Sequence, residues 1–161
     1  MTDELPDWLP DLLLFHGDWS AYVEEVYQVF RQDFFIDCVR FRGRRVSVRR
    51  EPLDQGKETG FWHAISEGKE EEERTPDLRR CERIRWIRAL LEADTAKVRI
   101  WKNRRGSDRR IVVALPDFSY VVVLADRGKY VLFITAYHVE RERRRQKLRK
   151  EWEACNQPWK G

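Results

Sequence analysis

The chain has 161 residues, 37% of them charged and 12% aromatic, with a formal net charge of +4 at pH 7. This length fits one domain with a hydrophobic core, and the aromatic content excludes a disordered polypeptide. The cysteines form no CxxC pair, which argues against a zinc site and a disulfide framework: they are Cys38, Cys81 and Cys155. The N-terminus is acidic and the apolar run at residues 12–15 is too short to span a membrane, so we expect a cytoplasmic protein with no membrane partner.

Arginine is concentrated in four segments, residues 40–50, 79–88, 99–110 and 141–150, which outweigh an acidic run at residues 70–73. The planar guanidinium group matches the geometry of phosphate. This pattern favours an anionic partner, RNA or DNA. The alternative is a solvated surface held together by salt bridges.

The first third of the chain predicts a helix followed by two short strands. Asp18 or Ser20 can cap a helix in which apolar residues recur at helical spacing over residues 22–30. The strands are predicted at residues 34–41 and 45–48, on either side of a basic turn that contains Gly43.

A polar loop is predicted at residues 51–60, and it leads into the octapeptide FWHAISEG at residues 61–68. This octapeptide combines two large aromatic side chains with His63 and, four residues later, Glu67. We interpret it as loop as well. Loops with many aromatic and ionisable groups are frequent sites of function.

The next helix is predicted from residue 76 or 77 to about residue 92, with Thr75 available as its N-cap and Pro76 suited to its first position. Its buried face is marked by apolar residues at helical spacing: Cys81, Ile84, Ile87 and Leu91. Arg80 falls inside this apolar arc and Arg83 lies close to its edge. Either these arginines extend to solvent and pair with nearby acids, or they serve a function.

The remainder predicts an antiparallel meander of four strands at residues 98–101, 110–115, 120–124 and 130–134. The last two runs do not alternate apolar and polar residues, which is typical of strands covered on both faces near the middle of a sheet. Residues 139–155 predict a basic helix on the surface with a small apolar face.

The chain offers candidates for metal-free cleavage of RNA, which needs a base for the ribose 2′-OH, an acid for the leaving oxygen and cations for the phosphate. His63 has a suitable intrinsic pKa for proton transfer, and Glu67 would orient it. The candidates that would hold the phosphate are Arg80, Arg83, Thr135 and Tyr137.

Contacts to RNA are predicted from stacking on Trp62 and Trp86, as in proteins that bind single-stranded RNA. Basic side chains would add affinity: Arg79, Arg141, Arg143, Arg144 and Arg145. Every candidate also has a structural interpretation, since His63 and both tryptophans could be packing residues, Thr135 an ordinary strand residue and Tyr137 a cap on the core. We interpret His16 and His138 as structural.

Three separated blocks resemble one family: FWHAISEG at residues 61–68, RRCERIRWI at residues 79–87 and DFSYVVVLADRGKYVLFITAYHVE at residues 117–140. In this order they resemble the phage-associated members of the barnase/EndoU/colicin/RelE-like (BECR fold) nuclease superfamily. The likeness extends from Phe61 to about Glu151.

The resemblance implies an α+β fold in which a helix packs on a curved antiparallel sheet of about four strands. We expect a single domain, residues 1–161, with an N-terminal extension (residues 1–60) and a nuclease-like core with a basic C-terminal helix (residues 61–155). The implied active site lies on the sheet face, with no metal and no cofactor. Its residues are His63, Arg80, Arg83, Thr135 and Tyr137.

By the same resemblance, the protein is expected to be a toxin-like endoribonuclease that cleaves tRNA or mRNA by 2′-OH attack and leaves a 2′,3′-cyclic phosphate. An antitoxin or immunity protein is a possible partner. The alternative is a non-catalytic RNA-binding or protein-interaction module on the same scaffold. A DNA nuclease is disfavoured, because the acids at residues 70–73 form one consecutive run rather than separated metal ligands. These acids are also a candidate for docking onto the basic surface.

Overall fold

The computed structural model describes residues 5–67 and 75–155 and shows an α+β fold. The acidic run at residues 70–73 lies outside the described residues. The strands are β1 (Arg40–Phe41), β2 (Arg44–Val48), β3 (Ser66–Glu67), β4 (Thr75–Pro76), β5 (Arg99–Arg105), β6 (Asp108–Ala114), β7 (Tyr120–Asp126) and β8 (Tyr130–His138). The helices are α1 (Trp19–Arg31), α2 (Thr59–Ile65), α3 (Leu78–Glu82), α4 (Ile84–Glu92) and α5 (Glu142–Ala154). None of the described helices is long and apolar enough to cross a membrane.

The main sheet has six strands in the order β1-β2-β8-β7-β6-β5, and β3 and β4 form a separate small ribbon. The predicted antiparallel meander is confirmed as β5 to β8. The prediction of about four antiparallel strands is wrong, because β2 pairs in parallel with β8 and β1 extends the sheet beyond it. The alternation of β2 indicates a strand, but it carries no information about a partner more than 80 residues away, since Val46 lies opposite Val131.

The hairpin of β7 and β8 lies in the middle of the sheet and is covered on both faces, as its uninterrupted apolar runs predict. One face packs against the α1 to α4 side of the molecule through residues such as Val122 and Phe133. The other face packs against α5, where Leu148 is buried with Trp101 and Phe118. The C-terminal helix is therefore anchored on the sheet by the small apolar face noted in its sequence.

Helix α1 forms as predicted: Asp18 is its N-cap and accepts a hydrogen bond from the backbone N–H of Ala21 at 3.1 Å. The strand predicted at residues 34–41 is wrong over most of its length. The chain continues from α1 as a π-helical turn, Gln32–Ile36, and only Arg40–Phe41 is extended. The ring of Phe34 lies 4.6 Å from that of Phe30, so packing against α1 decides the conformation of this short apolar run.

The octapeptide interpreted as a loop forms helix α2 and strand β3 instead. Phe61 and Ile65 are fully buried, and His63 is 8% exposed. Gly60 allows this packing, because a Cβ atom there would collide with Cγ1 of Val48, and its N–H donates to the carbonyl of Arg49 at 2.8 Å. Close packing on β2 therefore fixes α2, which local propensity does not reveal.

The helix predicted from residue 76 to about residue 92 is interrupted at Arg83, whose φ and ψ are −102° and 19°. Its N-cap is Asp77, which accepts from the N–H of Arg79 at 2.9 Å, whereas Thr75 and Pro76 belong to β4. The predicted apolar face is buried at every position: Cys81, Ile84, Ile87 and Leu91. The interruption lets α3 lie beside the end of β8 while α4 covers the sheet.

Candidate functional site

The last residues of β8 form an edge of the sheet, because the pairing with β2 ends at Phe133. A β-bulge precedes them: Leu124 of β7 lies opposite Phe133 and Val123 opposite Thr135, which leaves Ile134 as the extra residue. Bulges of this kind change the direction of side chains and are frequent beside active sites. Helix α3 lies against this edge and brings its arginines to it.

Arg80 contacts the edge directly. Its Nη1 donates to the carbonyl of Ser66 and lies 3.5 Å from Oγ1 of Thr135. Its guanidinium carbon lies 5.9 Å from the ring centre of Tyr137, and its Nε is 3.7 Å from a carboxylate oxygen of Asp77. Burial lowers the pKa of Arg80, and Asp77 only partly offsets this effect. The side chain is therefore a desolvated cation.

Arg83 is also buried, with 8% of its surface exposed. Its Nη1 donates to the carbonyl of Arg79 at 3.0 Å and lies 3.6 Å from Glu82, and its guanidinium carbon is 4.9 Å from the ring centre of Trp86. Burial lowers its pKa, against the opposing effect of Glu82. The Nε atoms of Arg83 and Arg80 are buried without a hydrogen-bond partner in the described part of the chain.

The structure connects His63 to this cluster through its main chain. The hydroxyl of Thr135 donates to the carbonyl of His63 at 3.0 Å. The side chain of His63 lines a cleft of about 350 Å³ together with Trp62, Thr59 and Ser66, and neither Arg80 nor Tyr137 lines that cleft. The predicted grouping of imidazole, arginines, hydroxyl and phenol is thus divided between two neighbouring places.

His138, which the sequence predicts to be structural, lies close to the arginines. His138 is the last residue of β8, and its side chain is 15% exposed. Its Nδ1 lies 3.9 Å from Glu140, and burial lowers its pKa, with Arg83 as the next largest cause. Strand alternation assigned His138 to the face opposite Tyr137. Both nevertheless line one cleft of about 430 Å³, because that cleft surrounds the point where β8 ends.

Helix α5 provides the basic wall of this second cleft. Arg141, Arg143 and Arg144 line it and are exposed, and none of their side chains forms an ion pair within the described residues. Arg145 has a different position, since its Nε donates to the carbonyl of Val139 at 2.8 Å and fastens the start of the helix. Arg79 is exposed on the opposite side, 3.7 Å from Glu140. We call this cleft, from Tyr137 to Lys147, the basic cleft.

One of the predicted roles needs correction. Trp86 is 3% exposed, its indole N–H donates to the carbonyl of Pro10 at 2.8 Å, and its ring packs against Tyr120. Neither face of the Trp86 indole is exposed for a nucleobase to stack on. Trp86 is therefore a core residue. Glu67 is exposed on β3, and its charge acts on Arg80, whose pKa it raises against the effect of burial. Trp62 is half-buried, and its N–H donates to the carbonyl of Asp54 at 3.0 Å.

No protein family, curated protein or solved structure matches this chain. Within residues 5–67 and 75–155, no group of three or more His, Cys, Asp or Glu side chains is placed to hold a metal ion. The chemistry of the side chains at the end of β8 is therefore the basis for a functional assignment.

Proposed function

We propose that this protein is a metal-independent, toxin-like endoribonuclease that cleaves RNA by attack of a ribose 2′-OH on the adjacent phosphate. The observation that carries the proposal is the pair of desolvated arginines, Arg80 and Arg83, beside the end of β8. Burial without full compensation raises the free energy of a charged side chain. An anion that binds there recovers this energy, and the gain is greatest for the extra charge of a pentavalent phosphate.

The surrounding groups suit the same substrate. The phenol of Tyr137 is a hydrogen-bond donor near the guanidinium of Arg80. The hydroxyl of Thr135 already donates to the carbonyl of His63, so its role is to position Arg80, whose Nη1 lies 3.5 Å from it. The exposed arginines of the basic cleft are spaced along α5 and can follow an RNA backbone, Arg141 and Arg144 among them. The protein would then hold the scissile phosphate with its buried cations and the flanking phosphates with its exposed ones.

The order of elements also supports the proposal. Helices α3 and α4 precede the antiparallel meander β5 to β8, and the candidate residues lie at the end of its last strand. This is the order implied by the resemblance to the BECR nucleases. The same resemblance leads us to propose an RNA substrate of the tRNA or mRNA class, a cytoplasmic location, and an inhibitory antitoxin or immunity protein. Such a partner would need an acidic surface to cover the basic cleft.

One observation favours a second candidate, a non-catalytic RNA-binding or protein-interaction module. The rim arginines Arg141, Arg143 and Arg144 are exposed and make no ion pairs among the described residues, so they supply affinity for a polyanion without any proton transfer. Under this alternative, the protein binds RNA with a strong salt dependence and leaves it intact.

The two candidates are separated by incubating the purified full-length protein with labelled tRNA and mRNA in EDTA. The ribonuclease proposal predicts fragments with 2′,3′-cyclic phosphate ends. It also predicts that an otherwise identical oligonucleotide with 2′-deoxyribose at every position stays intact, because it has no nucleophile. Folded protein that binds both RNAs and cuts neither would contradict the proposal and support the binding module.

A further inference from the structure

We propose that the imidazole of His138, rather than that of His63, accepts the proton of the attacking 2′-OH. This assignment rests on the ribonuclease activity proposed above and specifies which residue performs its first step.

The two histidines line clefts of opposite character. The cleft of His63 is lined by no arginine or lysine among the described residues, and Asp54 brings a negative charge to it. The basic cleft of His138 is lined by Arg141, Arg143, Arg144 and Lys147, with Glu140 as its only described acid. A phosphodiester is an anion, so the basic lining favours its binding beside His138 over the cleft of His63, which Arg80 contacts only through the carbonyl of Ser66.

The charges that surround His138 come from each element packed against it. Arg79 lies on α3, Arg83 at the junction with α4, Arg145 on α5, and Glu140 on the segment between β8 and α5. Three cations therefore oppose one carboxylate. Burial lowers the pKa of His138 first, and Arg83 lowers it further. The imidazole is thus mainly neutral at pH 7, which is the form that a general base requires.

One ring nitrogen of His138 remains open to a ligand. Nδ1 is the ring nitrogen nearer to Glu140, at 3.9 Å from its Oε1, so we assign the ring proton to Nδ1 and the lone pair to Nε2. The imidazole makes no hydrogen bond within the described residues, although its side chain is only 15% exposed. Neither ring nitrogen is among the buried polar atoms without a partner in the described part of the chain, so both are accessible to solvent and Nε2 can be reached by a ribose hydroxyl.

The step follows from this arrangement. Nε2 of His138 takes the proton of the 2′-OH as the 2′ oxygen forms its bond to phosphorus. The bond between phosphorus and the 5′ oxygen breaks, and the leaving oxygen takes a proton from water. The imidazolium returns its proton to the solvent. The products are a 2′,3′-cyclic phosphate and a 5′-OH, and Arg80 and Arg83 stabilise the charge of the phosphate between these events.

The test compares His138→Gln with the matched variant His63→Gln in the full-length protein. Single-turnover cleavage of a labelled RNA is measured in EDTA from pH 5 to pH 9, and binding is measured with an uncleavable 2′-O-methyl RNA. We expect His138→Gln to lose at least about 100-fold in rate, as removal of a general base typically does. Its binding should stay close to that of wild type. We expect His63→Gln to keep a cleavage rate within about threefold of wild type, because loss of a packing residue lowers the free energy of unfolding more than it lowers the cleavage rate.

The pH profile gives a readout that a merely structural histidine would not change. The wild-type rate should fall on the acid side at a pH below the ordinary histidine value of 6.5. Glu140→Gln should move this acid limb to still lower pH, because Glu140 raises the pKa of His138. The pH profile of Glu140→Gln therefore tests whether His138 is the general base even if His138→Gln fails to fold.

The results separate the inference from the proposed function. A wild type that cleaves, together with an inactive His63→Gln and an active His138→Gln, would overturn the assignment and leave the ribonuclease in place. An acid limb that Glu140→Gln does not move would also overturn it. Wild type that binds RNA and never cuts it would overturn the proposed function, and the assignment with it.

Discussion

Arginines on the same stretch of chain, α3 to α4, have opposite electrostatic surroundings. Arg88 contacts three carboxylates: Asp37 at 2.5 Å, Glu92 at 3.0 Å and Asp33 at 3.3 Å. The hydrogen bond that Arg88 donates to Asp37 is the largest cause that raises the pKa of Arg88. Arg80 and Arg83 lie earlier on the chain, and burial lowers the pKa of both, because no acid among the described residues compensates either charge to the same degree.

This difference distinguishes arginines that hold the fold from arginines that are available to a ligand. Arg88 connects α4 to the π-helical turn after α1, and its charge is satisfied within the protein. Among the described residues, the Nε atoms of Arg80 and Arg83 have no hydrogen-bond partner, and both side chains lie beside a strand edge and near a cleft lined with further cations. Residue type and helical position do not separate the two groups; the acids packed against each one do.

The largest effect expected from this comparison is on catalysis. Arg80→Gln should slow RNA cleavage by at least about 100-fold, as loss of one donor to a developing oxyanion does. Arg88→Gln is the matched control and should stay within about twofold of wild type, because its guanidinium is occupied by carboxylates. Equal losses in single-turnover assays would show that the distinction between the two arginines is wrong.

For the free energy of unfolding we expect the opposite order, with a larger loss for Arg88→Gln than for Arg80→Gln. Arg88→Gln removes charge-assisted bonds to a half-buried acid, Asp33, and we expect it to lower the free energy of unfolding by about 1–2 kcal/mol, discounted for the partial exposure of Arg88. Arg80→Gln removes a desolvated charge together with its bonds, so a smaller loss is expected. Urea unfolding monitored by tryptophan fluorescence measures both. A larger loss for Arg80→Gln would contradict the view that its charge is poorly compensated.

The exposed arginines should affect binding through salt dependence. The triple change Arg141→Gln, Arg143→Gln and Arg144→Gln should reduce the slope of log K against log salt by about 2, since each phosphate contact to a single strand contributes about 0.7. A control triple removes the same charge outside the basic cleft: Arg31→Gln, Arg49→Gln and Lys97→Gln. Titration of 2′-O-methyl RNA at several salt concentrations compares them, and equal slopes would exclude a specific role for α5.

The smallest expected effect is on stability as a function of pH. The folded-state pKa of His138 lies below its ordinary value of 6.5, so protonation favours the unfolded chain. The stability contributed by the neutral imidazole is present above pH 6.5 and is lost as the pH falls through the lowered pKa. His138→Gln should therefore lose less stability than wild type over this interval in denaturant titrations. Parallel curves would show that the surrounding cations do not act on His138.

Some of this architecture is predictable because local sequence determines it. The hairpin of β7 and β8 follows from two β-rich apolar runs around a Gly-containing turn, and α1 follows from Asp18 and helical spacing. Helix α2 is not predictable in this way, because Gly60 and Phe61 are fixed by packing on β2 and α1 rather than by propensity. A local sequence pattern also does not predict the parallel pairing of β2 with β8, because that pairing joins strands that are distant in the sequence.

The candidate site is predictable in part. The sequence places Arg80 and Arg83 near the apolar face of their helix, and in the structure Arg83 is buried and Arg80 is half-buried against β8. The sequence does not predict the interruption at Arg83 or the bulge at Ile134, and both change which side chains come into contact at the site. The sequence does not predict His138 as a site residue, because the alternation of side chains along a strand does not hold at the residue where the strand ends.

The most direct measurement is expression of wild type, Arg80→Gln and Arg88→Gln in a bacterial host, followed by sequencing of RNA ends that carry a 2′,3′-cyclic phosphate. We expect growth arrest and new, discrete RNA ends with wild type and with Arg88→Gln, and neither effect with Arg80→Gln at an equal protein level. The absence of new ends with folded wild type, or the same ends with Arg80→Gln, would contradict the claim that desolvated arginines at the end of β8 form a ribonuclease site.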